Sequence, residues 1–122
     1  MTTFTSSEKP TFTSFIMEDK HSRGWTFYIN IYTDDTIDEL NQLITKYKHI
    51  THLLVVQGLG TNGSYYLSGY IRFKNPTYSK ALLHKISNAY VSNANAAPIK
   101  NYEQLTREHT PLIIIGDFHK YT

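Results

Sequence analysis

The chain has 122 residues, of which 40% are hydrophobic and 18% charged, the length and balance of one globular domain. It contains no cysteine, so disulfides, thiolate metal sites and a cysteine nucleophile are excluded. Its longest apolar runs, residues 53–56 and 112–115, are far short of a membrane span, and no charged-then-apolar leader opens the chain.

Two features stand out against this ordinary background. Ten Tyr, six Phe and one Trp make 14% of the chain, more tyrosine than a small core needs, so some must lie at a surface. The net charge of +2 is also unevenly spread. Residues 1–71 carry five Lys/Arg against seven Asp/Glu; residues 72–107 carry Arg72, Lys74, Lys80, Lys85, Lys100 and Arg107 against Glu103 alone. A basic stretch among tyrosines suits a polyanion, because cations displace counterions from phosphates and aromatic rings stack on bases. A merely solvated basic face would look the same.

Residues 1–22 are rich in Ser and Thr and lack a clean period, as a flexible arm would, although Phe12, Phe15 and Ile16 could add an edge strand. Residues 23–122 form the expected domain. Trp25, Phe27, Ile29 and Ile31 alternate with Thr26, Tyr28, Asn30 and Tyr32, the period of a strand with one buried face. Thr36 followed by Glu39 suggests a capping box, opening a helix with Ile37, Leu40, Leu43, Ile44 and Tyr47 at helical spacing. Residues 52–56 read as a buried strand and 57–64 as a glycine-rich hairpin loop. That loop lacks the Lys-Ser/Thr and following helix of a phosphate-binding loop.

Residues 65–73 read as the return strand, with Tyr65, Leu67, Gly69, Ile71 and Phe73 on one face and Tyr66, Ser68, Tyr70 and Arg72 on the other. Asn75-Pro76-Thr77 suggests a turn into a second helix with Leu82, Leu83 and Ile86 inward. A short strand at 89–94, a linker at 96–98, a helix at 99–108 and a last apolar segment at 112–115 complete the order β-α-β-β-α-β-α-β. The expected class is α+β, an antiparallel sheet with packed helices of the ferredoxin-like kind. Such a fold settles no chemistry.

Three segments resemble the origin-nicking domain of the replication initiator (Rep) proteins of small circular single-stranded DNA viruses, such as circoviruses and nanoviruses. These are HUH endonucleases. Trp25-Thr26-Phe27-Tyr28-Ile29-Asn30-Ile31 is similar to the family's first motif strand, Phe-Thr-Leu-Asn-Asn. The stretch from Gly63 to Pro76, with Leu67-Ser68-Gly69-Tyr70-Ile71-Arg72-Phe73-Lys74-Asn75-Pro76 as its most specific part, resembles the second motif, Gly-Thr-Pro-His-Leu-Gln-Gly-Tyr and the strand after it. Asn101-Tyr102-Glu103-Gln104-Leu105-Thr106-Arg107-Glu108, followed by Ile113-Ile114-Ile115-Gly116, resembles the third, a helix with Tyr-x-x-Lys-Glu. The resemblance covers about residues 22–118 and implies an HUH Rep-type sandwich.

It also implies what has been lost. The family holds a divalent metal with a His pair, or a His and a Gln, plus an upstream acid. Those positions fall on Tyr66, Ser68 and either Gln57 or Gly58, none of which supplies the imidazole or carboxylate donors a Mg or Mn site needs. The family's nucleophilic Tyr falls on Gln104, whose amide cannot form a phosphodiester link, and its Lys on Arg107. Tyr102 is two residues off, a slip that turns a helical side chain by about 200°, so its simpler reading is packing against Leu112 or Ile113. His49, His52, His84, His109 and His119 show no ligand spacing and read as scattered surface residues. No metal or other cofactor is expected.

The expectation is therefore a catalytically inactive Rep-like domain that binds single-stranded DNA or RNA. The residues expected to carry binding are Tyr28, Asn30, Tyr66, Tyr70, Arg72, Lys74, Lys100 and Arg107, with Tyr32 on the same face. The alternatives are a viral structural or assembly protein acting as a homo-oligomer or with a viral protein partner, and an active nickase using Tyr102. A viral origin would place it inside the host cell, in nucleus or cytoplasm, without a membrane partner.

Overall fold

The computed structural model describes residues 21–86 and 88–119. Among these residues are five strands and three helices in the expected order: β1 (His21–Ile29), α1 (Asp34–Lys46), β2 (Ile50–Leu59), β3 (Tyr65–Tyr78), α2 (Ser79–Lys85), β4 (Tyr90–Asn93), α3 (Pro98–Arg107) and β5 (Thr110–Ile115). The strands form one sheet in the order β4-β1-β3-β2-β5, and every neighbouring pair is antiparallel. The fold is α+β. Among the described residues no helix is long and apolar enough to cross a membrane.

Strand alternation divides the sheet into two faces, and each has its own core. Trp25, Phe27 and Ile29 of β1, Leu53 and Val55 of β2 and Leu67, Ile71 and Phe73 of β3 are buried together with Leu40 and Leu43 of α1 and Leu82 of α2. Gly69 keeps this face flat: a Cβ there would run into the Phe27 ring and the Leu54 carbonyl. On the other face Leu54, Val56, Tyr70 and Phe118 form a smaller cluster, against which Tyr102 and Leu105 of α3 pack. The helices are thus divided two against one.

Several local expectations give way to tertiary pairing. The N-cap of α1 is Thr33, not Thr36; the Thr36 hydroxyl instead accepts the Thr33 backbone N–H at 3.1 Å. β1 ends at Ile29, so Ile31, expected inside, is 82% exposed. Tyr32 packs against the α1–α2 core and its hydroxyl accepts a hydrogen bond from Gln57 Nε2, which takes it off the face shared by Tyr28. The hairpin loop is shorter than expected because β2 runs on to Leu59, leaving Gly63 in the left-handed turn position at φ 84°. Asn75-Pro76-Thr77 belongs to β3, and Thr77 and Tyr78 pair with Ser22 and His21. His21 and Ser22 are therefore strand; the rest of the expected arm, with Phe12, Phe15 and Ile16, lies outside the described residues.

Phe118 fastens the smaller core. Its ring lies edge-on to Tyr70 at 6.1 Å and to His52 at 5.0 Å, and tilted against Tyr102 at 5.4 Å. Removing a buried aromatic side chain costs about 3 kcal/mol or more. Phe118→Ala is expected to lower the free energy of unfolding by that amount, read as a lower urea midpoint with an unchanged denaturant slope.

Candidate functional site

The second face of the sheet is open at one end, blocked in the middle and hollow at the other end. At the open end Tyr90 of β4, Tyr28 of β1 and Tyr66 of β3 form a row across three strands. Tyr28 and Tyr90 are cross-strand partners with ring centroids 6.4 Å apart, and Tyr28 stands 5.2 Å from Tyr66. His109, between α3 and β5, extends the row, with its ring edge-on to Tyr66 at 5.8 Å. Tyr90 is 73% exposed and Tyr28 37%, while Tyr66 is half-buried. The spacing and the tilted rings are those of favourable aromatic pairs.

Tyr66 and His109 are held by more than ring contact. His109 Nδ1 lies 2.8 Å from the Leu105 carbonyl, an acceptor, so in the neutral ring the proton sits on Nδ1. Nε2 then accepts from the Tyr66 hydroxyl at 2.9 Å. Gly58, the β2 partner of Tyr66, makes room for this arrangement: a Cβ there would strike the Tyr66 ring and approach His109 Cδ2 to 2.7 Å. Asn30 adjoins the row, accepting weakly from the Tyr28 hydroxyl at 3.4 Å. Ser68 donates to the Phe27 carbonyl at 3.4 Å.

The positions where the resembled family keeps its metal come together here, but as Tyr66, Ser68 and Gly58. Gln57 turns to the other face toward Tyr32. Among the described residues no group of three His, Asp or Glu side chains is close enough to share a metal ion.

Five of the eight expected binding residues, Tyr70, Lys100, Arg107, Arg72 and Lys74, are placed elsewhere. Tyr70 is wholly buried beneath α3 and Phe118, so its ring cannot meet a ligand. Lys100 and Arg107 are exposed on α3, on the side away from the buried Pro98, Asn101 and Leu105 contacts, and do not border the tyrosines. Tyr102 is the reverse of what a two-residue slip suggests. It faces the sheet, packed against Phe118 and 5.3 Å from the His119 ring, while Gln104 is the exposed residue. Tyr102 packs on the Leu54, Val56, Tyr70 and Phe118 cluster, while Ile113 belongs to the core of the other face.

Arg72 and Lys74 lie toward the hollow end. Six residues separate Arg72 from Tyr66 along β3, about 20 Å at strand rise. There they line a cavity with His52, which is 6% exposed and not the surface residue its sequence context suggests. His52 Nε2 lies 3.2 Å from the Asp117 carbonyl and Nδ1 2.8 Å from the Thr51 hydroxyl. Burial, aided by Arg72, pushes its pKa below the ordinary value of 6.5, against the opposing pull of Asp117.

Sequence reasoning missed Tyr90, His109, Arg23 and the role of Gly58. Alternation could place Tyr90 on a strand but not beside Tyr28, because pairing register is not written in either segment alone. Neither a family model nor a curated protein matches this chain.

Two measurements follow from this geometry. Tyr66→Phe strips the donor from His109 Nε2 and is expected to cost about 1 kcal/mol, read by chemical denaturation, while Gly58→Ala should cost more by displacing both rings. The lowered His52 pKa means that the unfolded chain binds a proton the native state resists. Its contribution to stability is full above pH 6.5 and is lost as pH falls through the native pKa. Unfolding midpoints measured from neutral to mildly acid pH should fall, and His52→Gln should flatten that slope even though it lowers overall stability.

Proposed function

We propose that the chain is a Rep-like module, derived from the HUH endonucleases and without nicking activity, that binds single-stranded nucleic acid on the tyrosine row. The observation that carries the reading is the Tyr90–Tyr28–Tyr66–His109 row, four rings on one exposed end of a sheet face. Bases stack on such rings with little regard to sequence, at about 1–3 kcal/mol each.

The strand order supports the derivation. Without β5, the order β4-β1-β3-β2 with α1 and α2 on one face is compatible with the ferredoxin-like arrangement that the motifs imply. Loss of nicking is supported by the site itself. Tyr66 occupies the ligand strand with its hydroxyl committed to His109, Gln104 is exposed, and Tyr102 is packed between two rings.

The assembly alternative draws on one observation, the edge strand β5, where Leu112 is 39% and Ile114 50% exposed. Among the described residues no strand pairs with its outer side, and such an apolar edge can pair with another chain.

Titration of a fluorescent single-stranded DNA or RNA oligonucleotide at low salt tests the reading. Tyr28→Ala and Tyr66→Ala are each expected to weaken binding about tenfold, and incubation with Mn should yield no covalent adduct. A chain that ignores both nucleic acids while forming a stable homo-oligomer would favour assembly through β5. An adduct abolished by Tyr102→Phe would restore the nickase.

A further inference from the structure

At the end of the sheet away from the tyrosine row, three strands break register at the same level. On β1 the pairing with β3 jumps between Ser22 and Gly24, and on β2 it jumps between Ile50 and His52. At the first break β3 carries the excess, the stretch 73–76 lying opposite Arg23; at the second the extra residue is Thr51 of β2. Both breaks lie against the stretch of β3 that begins at Arg72 and continues through Lys74. A bulge re-aims a side chain out of the strand's alternation and is concentrated beside functional sites. Here Thr51 of the β2 bulge, Lys74 of the β3 bulge and Arg23 opposite it converge on one cavity of about 730 Å³, lined also by His52, Arg72 and Asp117 and bordered by the linker into α3.

The charges in this cavity are unbalanced. Arg23, Arg72 and Lys74 are cationic, and among the described residues none has an ion-pair partner within 4 Å. Arg72 is fixed by a 3.4 Å hydrogen bond from Nη1 to the buried Tyr70 hydroxyl. Asp117 is the one acid in the lining, and its Oδ1 is taken by the His119 backbone N–H at 3.1 Å. The opposite wall is the start of α3, a ten-residue helix whose first turn adds partial positive charge. That wall is fastened: Asn101 Nδ2 donates to the Ala96 and Ala97 carbonyls at 3.3 and 3.2 Å, and Ala94 N–H to the Gly24 carbonyl at 2.9 Å.

We propose that this cavity is a phosphate site that takes the phosphomonoester of a nucleotide. Two guanidinium forks and an ammonium suit a tetrahedral dianion, which can accept from all three at once. The volume is several times that of a phosphate group and falls in the range of small-molecule sites, leaving room for the attached sugar and base. The phosphomonoester can belong to a free mononucleotide or to the end of a strand, since the two share this chemistry. The site stands apart from the tyrosine row, and its occupancy does not depend on stacking there.

The test is titration of the whole chain at low salt with inorganic phosphate, adenosine 5′-monophosphate and adenosine, followed by backbone amide NMR shifts and by calorimetry. Saturable shifts at Thr51, Ala96, Ala97 and Ile99 are expected with the first two probes and not with adenosine. Arg23→Gln, an exposed change that leaves the core intact, and Arg72→Gln should each weaken monophosphate binding about tenfold, whereas Tyr66→Ala should leave it unchanged. Oligonucleotides with a 5′-phosphate and a 5′-hydroxyl then separate the sources. Tighter binding of the 5′-phosphorylated than of the 5′-hydroxyl strand, lost in Arg23→Gln, assigns the site to a strand end, and equal binding of the two assigns it to free nucleotides. No saturable shift at millimolar phosphate and monophosphate, equal binding of adenosine, or an Arg23→Gln affinity equal to wild type would each overturn the proposal. The titrations with phosphate, monophosphate and adenosine do not depend on whether single strands bind the tyrosine row.

Discussion

The buried Tyr70 ring divides the molecule's second surface. It stands in the middle of the central strand β3, covered by α3 and Phe118, and its hydroxyl must find a partner because a phenol is costly to bury without one. Arg72 Nη1 supplies that partner two residues along the same face. Gly24 on the neighbouring strand leaves the necessary space, since a Cβ there would stand 2.9 Å from the Tyr70 oxygen. Everything on this face is then positioned relative to the plug: α3 lies over it, the tyrosine row starts on one side, and the cationic cavity on the other.

The other face makes that division affordable. Three strands and two helices bury Trp25, Phe27, Ile29, Leu53, Val55, Leu67, Ile71 and Phe73 in a continuous core. With that core carrying most of the burial, the opposite face can stay incomplete. β4 is only four residues long and contributes Tyr90 to the surface rather than to packing. Gly58 does the same in reverse, giving up a side chain of its own so that Tyr66 and His109 can occupy the space above β2.

The element order was legible because each long segment carries its own period. Alternation over β1 and β3 and helical spacing over α1 need no knowledge of the rest of the chain. What the sequence could not yield was decided between segments. Tyr70 has the same alternation as Tyr66, yet one is plugged and the other half-open, because α3 crosses the sheet at a place fixed by Pro98, Asn101, Tyr102 and Leu105 together. Parity gives the face of a strand but not what covers it. The same limit applies to Thr51 on β2 and to Lys74 on β3: a bulge is a property of two strands, so neither residue signals alone that it leaves the alternation. Tyr102 and Gln104 show the limit in a helix, where the angle between two side chains follows from spacing but their absolute direction follows from the docking face.

The proposed stacking row and the proposed phosphate site use different physics, and the plug keeps them apart. The row carries rings and no cation beside them among the described residues, so attraction there comes from surface contact and is little affected by salt. The cavity carries cations and no exposed stacking ring, so attraction there is ionic and weakens as salt rises. About 20 Å of strand separates the two. One short strand of nucleic acid reaching both ends would lose only its charge-dependent anchor as salt rises and keep its stacked bases. A free nucleotide in the cavity would be released altogether. The burial of one tyrosine thus turns a single sheet face into two surfaces whose ligands respond differently to the same change in solution.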